Sequence, residues 1–207
     1  VLIKTLTVGP FMANCYLVAC PQTREAVVID PGDEPQEILA AIAREGLRVR
    51  YIINTHGHID HIAANDAVAR ATGAPVLIHA ADAPMLTDPS RNLSLFSGEP
   101  VRCEPADQLL RDGDEIAVGT LVFRVIHTPG HTPGAISLLC GQTLFTGDTL
   151  FAWSIGRTDF PGGDQKTLIR SIKERLFTLP EETEVYPGHG EPTTIGEEKS
   201  SNPFVSD

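Results

Sequence analysis

With 207 residues, 42% of them hydrophobic and 21% charged, the chain has the size and balance of one sizeable globular domain spanning 1–207. Its 27 acidic and 16 basic side chains leave a formal net charge of −11, which repels phosphate backbones and anionic bilayers and argues against nucleic acid or a membrane surface as partner. No apolar run approaches the roughly 18 residues of a spanning helix, and Val1-Leu2-Ile3-Lys4-Thr5 lacks the zones of a signal peptide, so a cytoplasmic location is expected.

In chain order, Leu2 to Val8, Cys15 to Ala19 and Ala26 to Asp30 read as an antiparallel meander, the last strand ending on the turn pair Pro31-Gly32. From Glu34 to Glu45, Ile38, Leu39, Ile42 and Ala43 recur at helical spacing, and Gly46 ends the run. Val49 to Ile53 is a buried strand, Ile62 to Thr72 a helix stopped by Gly73, and Pro75 to His79 a further strand. Between Ala80 and Pro105 the pattern weakens into short helix and loop. Asp112-Gly113-Asp114 turns between short strands, Leu121 to Ile126 is a strand, and Ala135 to Leu139 with Thr143 to Thr146 form a hairpin about Gly141-Gln142. Leu150 to Gly163 reads as loop, Lys166 to Phe177 as an amphipathic helix, Glu184 to Tyr186 as a last strand and Gly196 to Asn202 as a short closing helix. Cys15, Cys20, Cys103 and Cys140 have no C-x-x-C spacing and are expected to be reduced and structural.

The chemistry concentrates in Thr55-His56-Gly57-His58-Ile59-Asp60-His61, four potential ligands within six residues, placed between the strand and the Ala-rich helix. Imidazole nitrogen and carboxylate oxygen suit Zn²⁺, Fe or Mn. His56 and His58 can grip one ion together while Asp60 and His61 project toward a second. Three further stretches complete the set: Thr128-Pro129-Gly130-His131, Thr146-Gly147-Asp148 and Pro187-Gly188-His189-Gly190. His127 competes with His131 for the ligand role but belongs to the strand end, and His79 is read as structural.

These stretches together resemble the metallo-β-lactamase-fold hydrolase superfamily, and within it the compact proteins similar to glyoxalase II, from Val28-Ile29-Asp30-Pro31-Gly32 to Asn202-Pro203-Phe204. The resemblance implies an α+β fold, a four-layer αββα sandwich. It implies that His56, His58 and His131 hold one divalent ion, that Asp60, His61 and His189 hold a second, and that Asp148 bridges them beside a shared water. Zn²⁺ is the first expectation, with Fe or Mn also suited. Asp30 is expected to lie behind the site and support it without ligating.

Two cations sharing a water bring its pKa from 15.7 to about neutrality, giving a metal-bound hydroxide at pH 7. Asp60 is the expected catalytic carboxylate, orienting that nucleophile and receiving its proton. A thiolate, with a pKa near 8.5, departs without a general acid, whereas an amide nitrogen needs a donor that the sequence does not display. That favours a thioester over a lactam, and the resemblance to glyoxalase II implies a small one, S-lactoylglutathione or a related acyl-thiol. The β-lactamases of this fold put Cys or Ser where Asp148 stands, and its flavodiiron oxidoreductases put Glu where His58 stands. The first rival is an iron-dependent persulfide dioxygenase, whose motif Gly156-Arg157-Thr158-Asp159-Phe160 resembles; those enzymes have Ala in place of Gly188. A noncatalytic metal-binding protein is a third reading. The long helical segment that holds glutathione in larger glyoxalase II relatives has no counterpart after His189, so no separate C-terminal substrate-binding domain is expected. Arg157 falls where those enzymes place a basic residue for the substrate carboxylate, but Asp159 replaces their neighbouring Tyr, and a solvated loop charge is the equal alternative.

Overall fold

The computed structural model describes residues 1–205; the last two residues of the expected 1–207 domain lie outside them. Strands Leu2–Val8 (β1), Ala13–Ala19 (β2) and Glu25–Ile29 (β3) form the expected meander, followed by helix Pro35–Arg44 (α1) and strand Arg48–Asn54 (β4). Helices Ile59–Ile62 (α2) and Asn65–Thr72 (α3) precede strand Val76–His79 (β5) and helix Ala83–Thr87 (α4). Strands Gln108–Leu110 (β6), Glu115–Val118 (β7), Leu121–His127 (β8), Ile136–Cys140 (β9) and Thr143–Gly147 (β10) come next. Leu150–Phe151 (β11) and Ser154–Ile155 (β12) form a small hairpin ahead of helix Gln165–Ser171 (α5), strands Glu184–Pro187 (β13) and Thr193–Thr194 (β14), and helix Ile195–Ser201 (α6).

Two six-stranded sheets result, β1 to β6 in sequence order and β14-β13-β10-β9-β8-β7. In the first, β3, β4 and β5 run parallel with Ile29 beside Ile53 and Ile53 beside Leu77. The two-residue side-chain period explains the layering. Tyr16, Val18, Val27, Ile29, Ile53 and Leu77 point one way, against Phe123, Val125, Ile136, Leu138 and Phe145 of the second sheet. The alternate residues Leu17, Val28, Ile52 and Ile78 point the other way, into Ile38 and Ile42 of α1, Val68 of α3 and Leu86 of α4. On the far face of the second sheet, Ile126, Leu144 and Val185 pack on Leu168 and Ile195, from α5 and α6. The order is helices, sheet, sheet, helices, the αββα arrangement expected. Among the described residues no helix is long and apolar enough to cross a membrane. All four cysteines are free and buried.

Three elements depart from expectation. The helix predicted from Ile62 to Thr72 begins at Ile59 and breaks after Ile62, so Asp60 and His61 sit inside a single turn, not ahead of a long helix. Competing partners cause the break: Asn54 Nδ2 donates to the His61 carbonyl at 3.0 Å, and the Ala64 amide donates to Pro31 O at 3.0 Å. The predicted loop from Leu150 to Gly163 contains the β11–β12 hairpin. The predicted helix from Lys166 to Phe177 is α-helical through Ser171 and then widens into a π-helical turn at Ile172–Leu176.

Glu198 of α6 is buried and ties the carboxyl-terminal helix to that hairpin. Its carboxylate accepts from Thr193 Oγ1 at 2.7 Å, Asn202 Nδ2 at 2.7 Å and the Trp153 amide at 2.9 Å. Glu198→Ala removes the acceptor of three hydrogen bonds, leaving Thr193 Oγ1 and the Trp153 amide without it while Asn202 Nδ2 keeps Ser154 O at 3.0 Å, and urea unfolding is expected to show a loss of roughly 2 to 3 kcal/mol. A Glu198→Ala protein as stable as the parent would show that water replaces the carboxylate.

Candidate metal centre

Five strands end at one end of the sandwich and deliver the candidate ligands on the segments that follow. Asp30 follows β3, His56, His58, Asp60 and His61 follow β4, His131 follows β8, Asp148 follows β10 and His189 follows β13. The second sheet is held to the first here: the Asn14 amide donates to Gly188 O at 2.8 Å and Asn14 Nδ2 donates to Pro187 O and Gly190 O. Two glycines make the approach possible. Gly147 adopts φ +49°, where its missing Cβ leaves room for the Thr55 side chain, and a Cβ on Gly188 would overlap Asp148 Oδ1.

The side chains gather as two triads, His56 with His58 and His131, and Asp60 with His61 and His189, the ligand atoms of each lying within 4.8 Å of one another. Asp148 stands between them. Its Oδ1 is 3.4 Å from His61 Nε2, and its Oδ2 is 3.5 Å from His131 Nε2 and 3.6 Å from His189 Nε2. Asp60 Oδ2 lies 3.2 Å from His189 Nε2 and 3.6 Å from His61 Nε2.

Hydrogen bonds behind the cluster aim these nitrogens. Asp30 accepts the Thr55 amide at 2.7 Å, the Thr55 hydroxyl at 2.6 Å and His61 Nδ1 at 3.0 Å. With its proton committed to Asp30, Thr55 Oγ1 can only accept from His56 Nδ1 at 3.2 Å. His131 Nδ1 lies 2.7 Å from the Arg157 carbonyl, which also only accepts. In all three histidines the Nδ1 proton is thus spoken for and the Nε2 lone pair is turned to the cluster, the arrangement that ligating imidazoles need. A third grouping, Asp30 with His56 and His61, also lies within that reach, but the Asp30 oxygens are already occupied by these donors.

His56 Nε2, His61 Nε2 and Asp148 Oδ1 are buried without a hydrogen-bond partner among the described residues. Each such atom costs about 1 to 3 kcal/mol, and a cation on the lone pairs accounts for all three at once. The residues fit divalent metal ions. Burial pushes the His56 imidazole well below its usual value and His58 down to about 3, helped by neighbouring histidines, so both are neutral donors. At His61 burial acts in the same direction, but Asp60 and Asp148 outweigh it and hold the ring well above the ordinary value. That proton must leave when a metal binds, coupling affinity to pH. Burial would raise Asp148 and Asp60, yet His61 beside both carboxylates holds them below the usual range.

His127, the competitor, turns away: its ring stacks on His79 at 4.3 Å and its Nε2 donates to Pro133 O at 2.9 Å. Arg157 reaches the cleft over the cluster, but Nε and Nη2 both donate to Asp159 at 2.7 Å and the guanidinium lies 3.9 Å above Phe160. Sequence reasoning missed Asp82. Fully buried, it accepts the Gly57 amide at 3.2 Å, the Gly134 amide at 2.6 Å and the Thr132 hydroxyl at 2.6 Å, clamping the loop of His56 and His58 to that of His131. Burial raises its pKa against those donors. The only local sign of it is an acid before Ala83-Pro84, at the start of α4.

Asp82→Ala removes that clamp without touching a candidate ligand. Metal affinity is expected to fall roughly 10- to 100-fold for one ion in a chelator-competition titration. Unchanged affinity for both ions would show that the two loops hold their spacing without Asp82.

The comparisons with known proteins agree with this fold. The family model described as the metallo-beta-lactamase superfamily matches residues 8–189. Hydroxyacylglutathione hydrolase GloC of Haemophilus influenzae is 34% identical over 99% of this chain and 98% of its own length. Among solved structures, BLEG-1 B3 metallo-beta-lactamase superposes with a TM-score of 0.95 at 40% identity, covering all of both chains. ETHE1 from Myxococcus xanthus gives 0.82 at 37% identity over 100% of this chain and 85% of its own, and TTHA1623 in a di-iron-bound form gives 0.87 at 38% over 98% and 100%. Fold, ligand constellation and sequence converge, and the chain belongs to the metallo-β-lactamase superfamily.

Proposed function

We propose that the protein is a binuclear metal-dependent thioester hydrolase of glyoxalase II type, with His56, His58 and His131 as ligands of one ion, Asp60, His61 and His189 of the other, and Asp148 shared. Two divalent ions held there supply Lewis acidity and bring the pKa of a bound water to near neutral. The observation that carries the reading is the lining of the cleft above the cluster. Outside the cluster its polar side chains are Ser97 and Arg157. Neither is a general acid poised to protonate a leaving nitrogen, and a thiolate needs none. Asp60, partly open to the cleft and held ionised beside His61, is placed to orient the attacking water and accept its proton at a carboxylate oxygen. The likeness to GloC supports the hydroxyacylglutathione branch.

The likeness to BLEG-1 B3 metallo-beta-lactamase favours β-lactam hydrolysis as the second reading. The persulfide dioxygenase reading rests on the loop from Gly156 to Phe160. Zn²⁺ is proposed first, with iron next because a di-iron form exists for a similar structure. A small molecule is the proposed partner and the cytoplasm the proposed location.

Metal-replete protein is expected to carry two ions per chain and to release thiol from S-lactoylglutathione without oxygen. One iron at full activity, with oxygen consumed on glutathione persulfide and no thiol released, would replace this reading by the dioxygenase. Turnover confined to a chromogenic cephalosporin would replace it by the lactamase.

Asp60→Asn keeps the side-chain size and one oxygen donor but removes the proton acceptor. With both ions verified by metal analysis, kcat is expected to fall by at least about 10²-fold. Near-parental kcat with both ions bound would reduce Asp60 to a ligand only.

A further inference from the structure

The cleft has a volume of about 710 Å³, the size of a site for a drug-sized ligand and far more than a lactoyl group fills. Phe11, Leu93, Phe96, Phe151, Ile155 and Phe160 line it. They come from four separate segments: the β1–β2 turn, the 3₁₀ turn region at 93–96, the β11–β12 hairpin and the loop after it. Phe11 is 54% and Phe96 77% exposed, so neither serves the core. Phe160 meets the His58 ring edge-on at 5.9 Å and Phe151 meets His189 at 6.1 Å, which carries the apolar wall down to the candidate ligands.

The charge of the lining points the same way. A glutathione thioester carries two carboxylates and one ammonium, so it arrives with a net negative charge at a protein of net charge −11. Among the described residues, Arg157 is the sole Lys or Arg on the lining. Its Nε and Nη2 each donate to Asp159 at 2.7 Å, and one face of the guanidinium lies on Phe160. A carboxylate approaching Arg157 meets the Asp159 carboxylate already paired beside it. An apolar chain needs to displace nothing but water, and each methylene that leaves water for such a wall gains about fourfold in binding.

Resting on the thioester reading above, we propose that the cleft selects thioesters of an apolar acyl chain longer than lactoyl, carried on a thiol without net negative charge. Phe96 and Phe160 are the residues that set this preference.

The test is a kcat/KM series on the metal-replete protein with acetyl, butyryl, hexanoyl and octanoyl thioesters of N-acetylcysteamine, a neutral thiol, alongside hexanoylglutathione and S-lactoylglutathione. Hexanoyl is expected to exceed acetyl by roughly 10- to 100-fold, below the full fourfold per methylene because part of the chain stays wet. The neutral hexanoyl thioester should also exceed hexanoylglutathione, most clearly at low salt. Phe96→Ser and Phe160→Ser should each cut the hexanoyl-to-acetyl ratio by about tenfold. Calorimetry with the uncleavable S-hexyl and S-methyl thioethers of the same thiol should give the same order and reads binding apart from turnover. Equal efficiency across the acyl series, or a preference for S-lactoylglutathione, would overturn the inference and leave the thioester reading standing. Thiol release from none of these compounds would overturn both.

Discussion

The Asp30 carboxylate is the fixed point of the centre. It ends β3 in a left-handed backbone conformation, φ 51°, and from there accepts the Thr55 amide, the Thr55 hydroxyl and His61 Nδ1. Those three bonds decide which nitrogen of His56 and His61 carries the proton, and so where two lone pairs point. Parallel pairing of β3 with β4 makes this possible, since Ile29 beside Ile53 brings Asp30 alongside Asn54 and Thr55. Take away that register and the ligands after β4 lose their tautomers as well as their positions.

Asp82 does for the distance between loops what Asp30 does for the direction of rings. Both are carboxylates buried among backbone amides and hydroxyls, and neither belongs to a proposed ligand triad. The catalytic-looking histidines are therefore only the visible part of a polar framework whose anchors are acidic. Carboxylates at these depths need several donors each, as burial requires.

Much of this could be read in the sequence because the signals were local. His56, His58, Asp60 and His61 lie within one loop, and the Pro-Gly-His and Gly-Asp turns mark His131, His189 and Asp148. The strands of the sheets announce themselves as apolar runs or alternations. What escaped was set by contacts distant in sequence. Asp82 gains its meaning from Gly57, Thr132 and Gly134, 25 to 52 positions away. Helix α2 ends where it does because Asn54 and Pro31 take over its backbone partners. The aromatic lining of the cleft gathers from the start, middle and late part of the chain, and Leu93 and Phe96 fall in a stretch without periodicity. Arg157 was visible, but its engagement with Asp159 is a fact of loop geometry.

Each triad takes two members from the first third of the chain and one from far downstream: His131 joins His56 and His58, and His189 joins Asp60 and His61. Neither proposed triad is complete within one sheet and its own loops. The centre is a seam between the sheets, and closing it is an event of tertiary assembly. A chain emerging from its amino terminus has its first triad only once residue 131 has been made, and its second only once residue 189 has been made and β13 has docked beside β10, so loading of both ions would come after folding. For the same reason, ions seated in that seam would act as crosslinks between segments up to 129 positions apart, the span from Asp60 to His189.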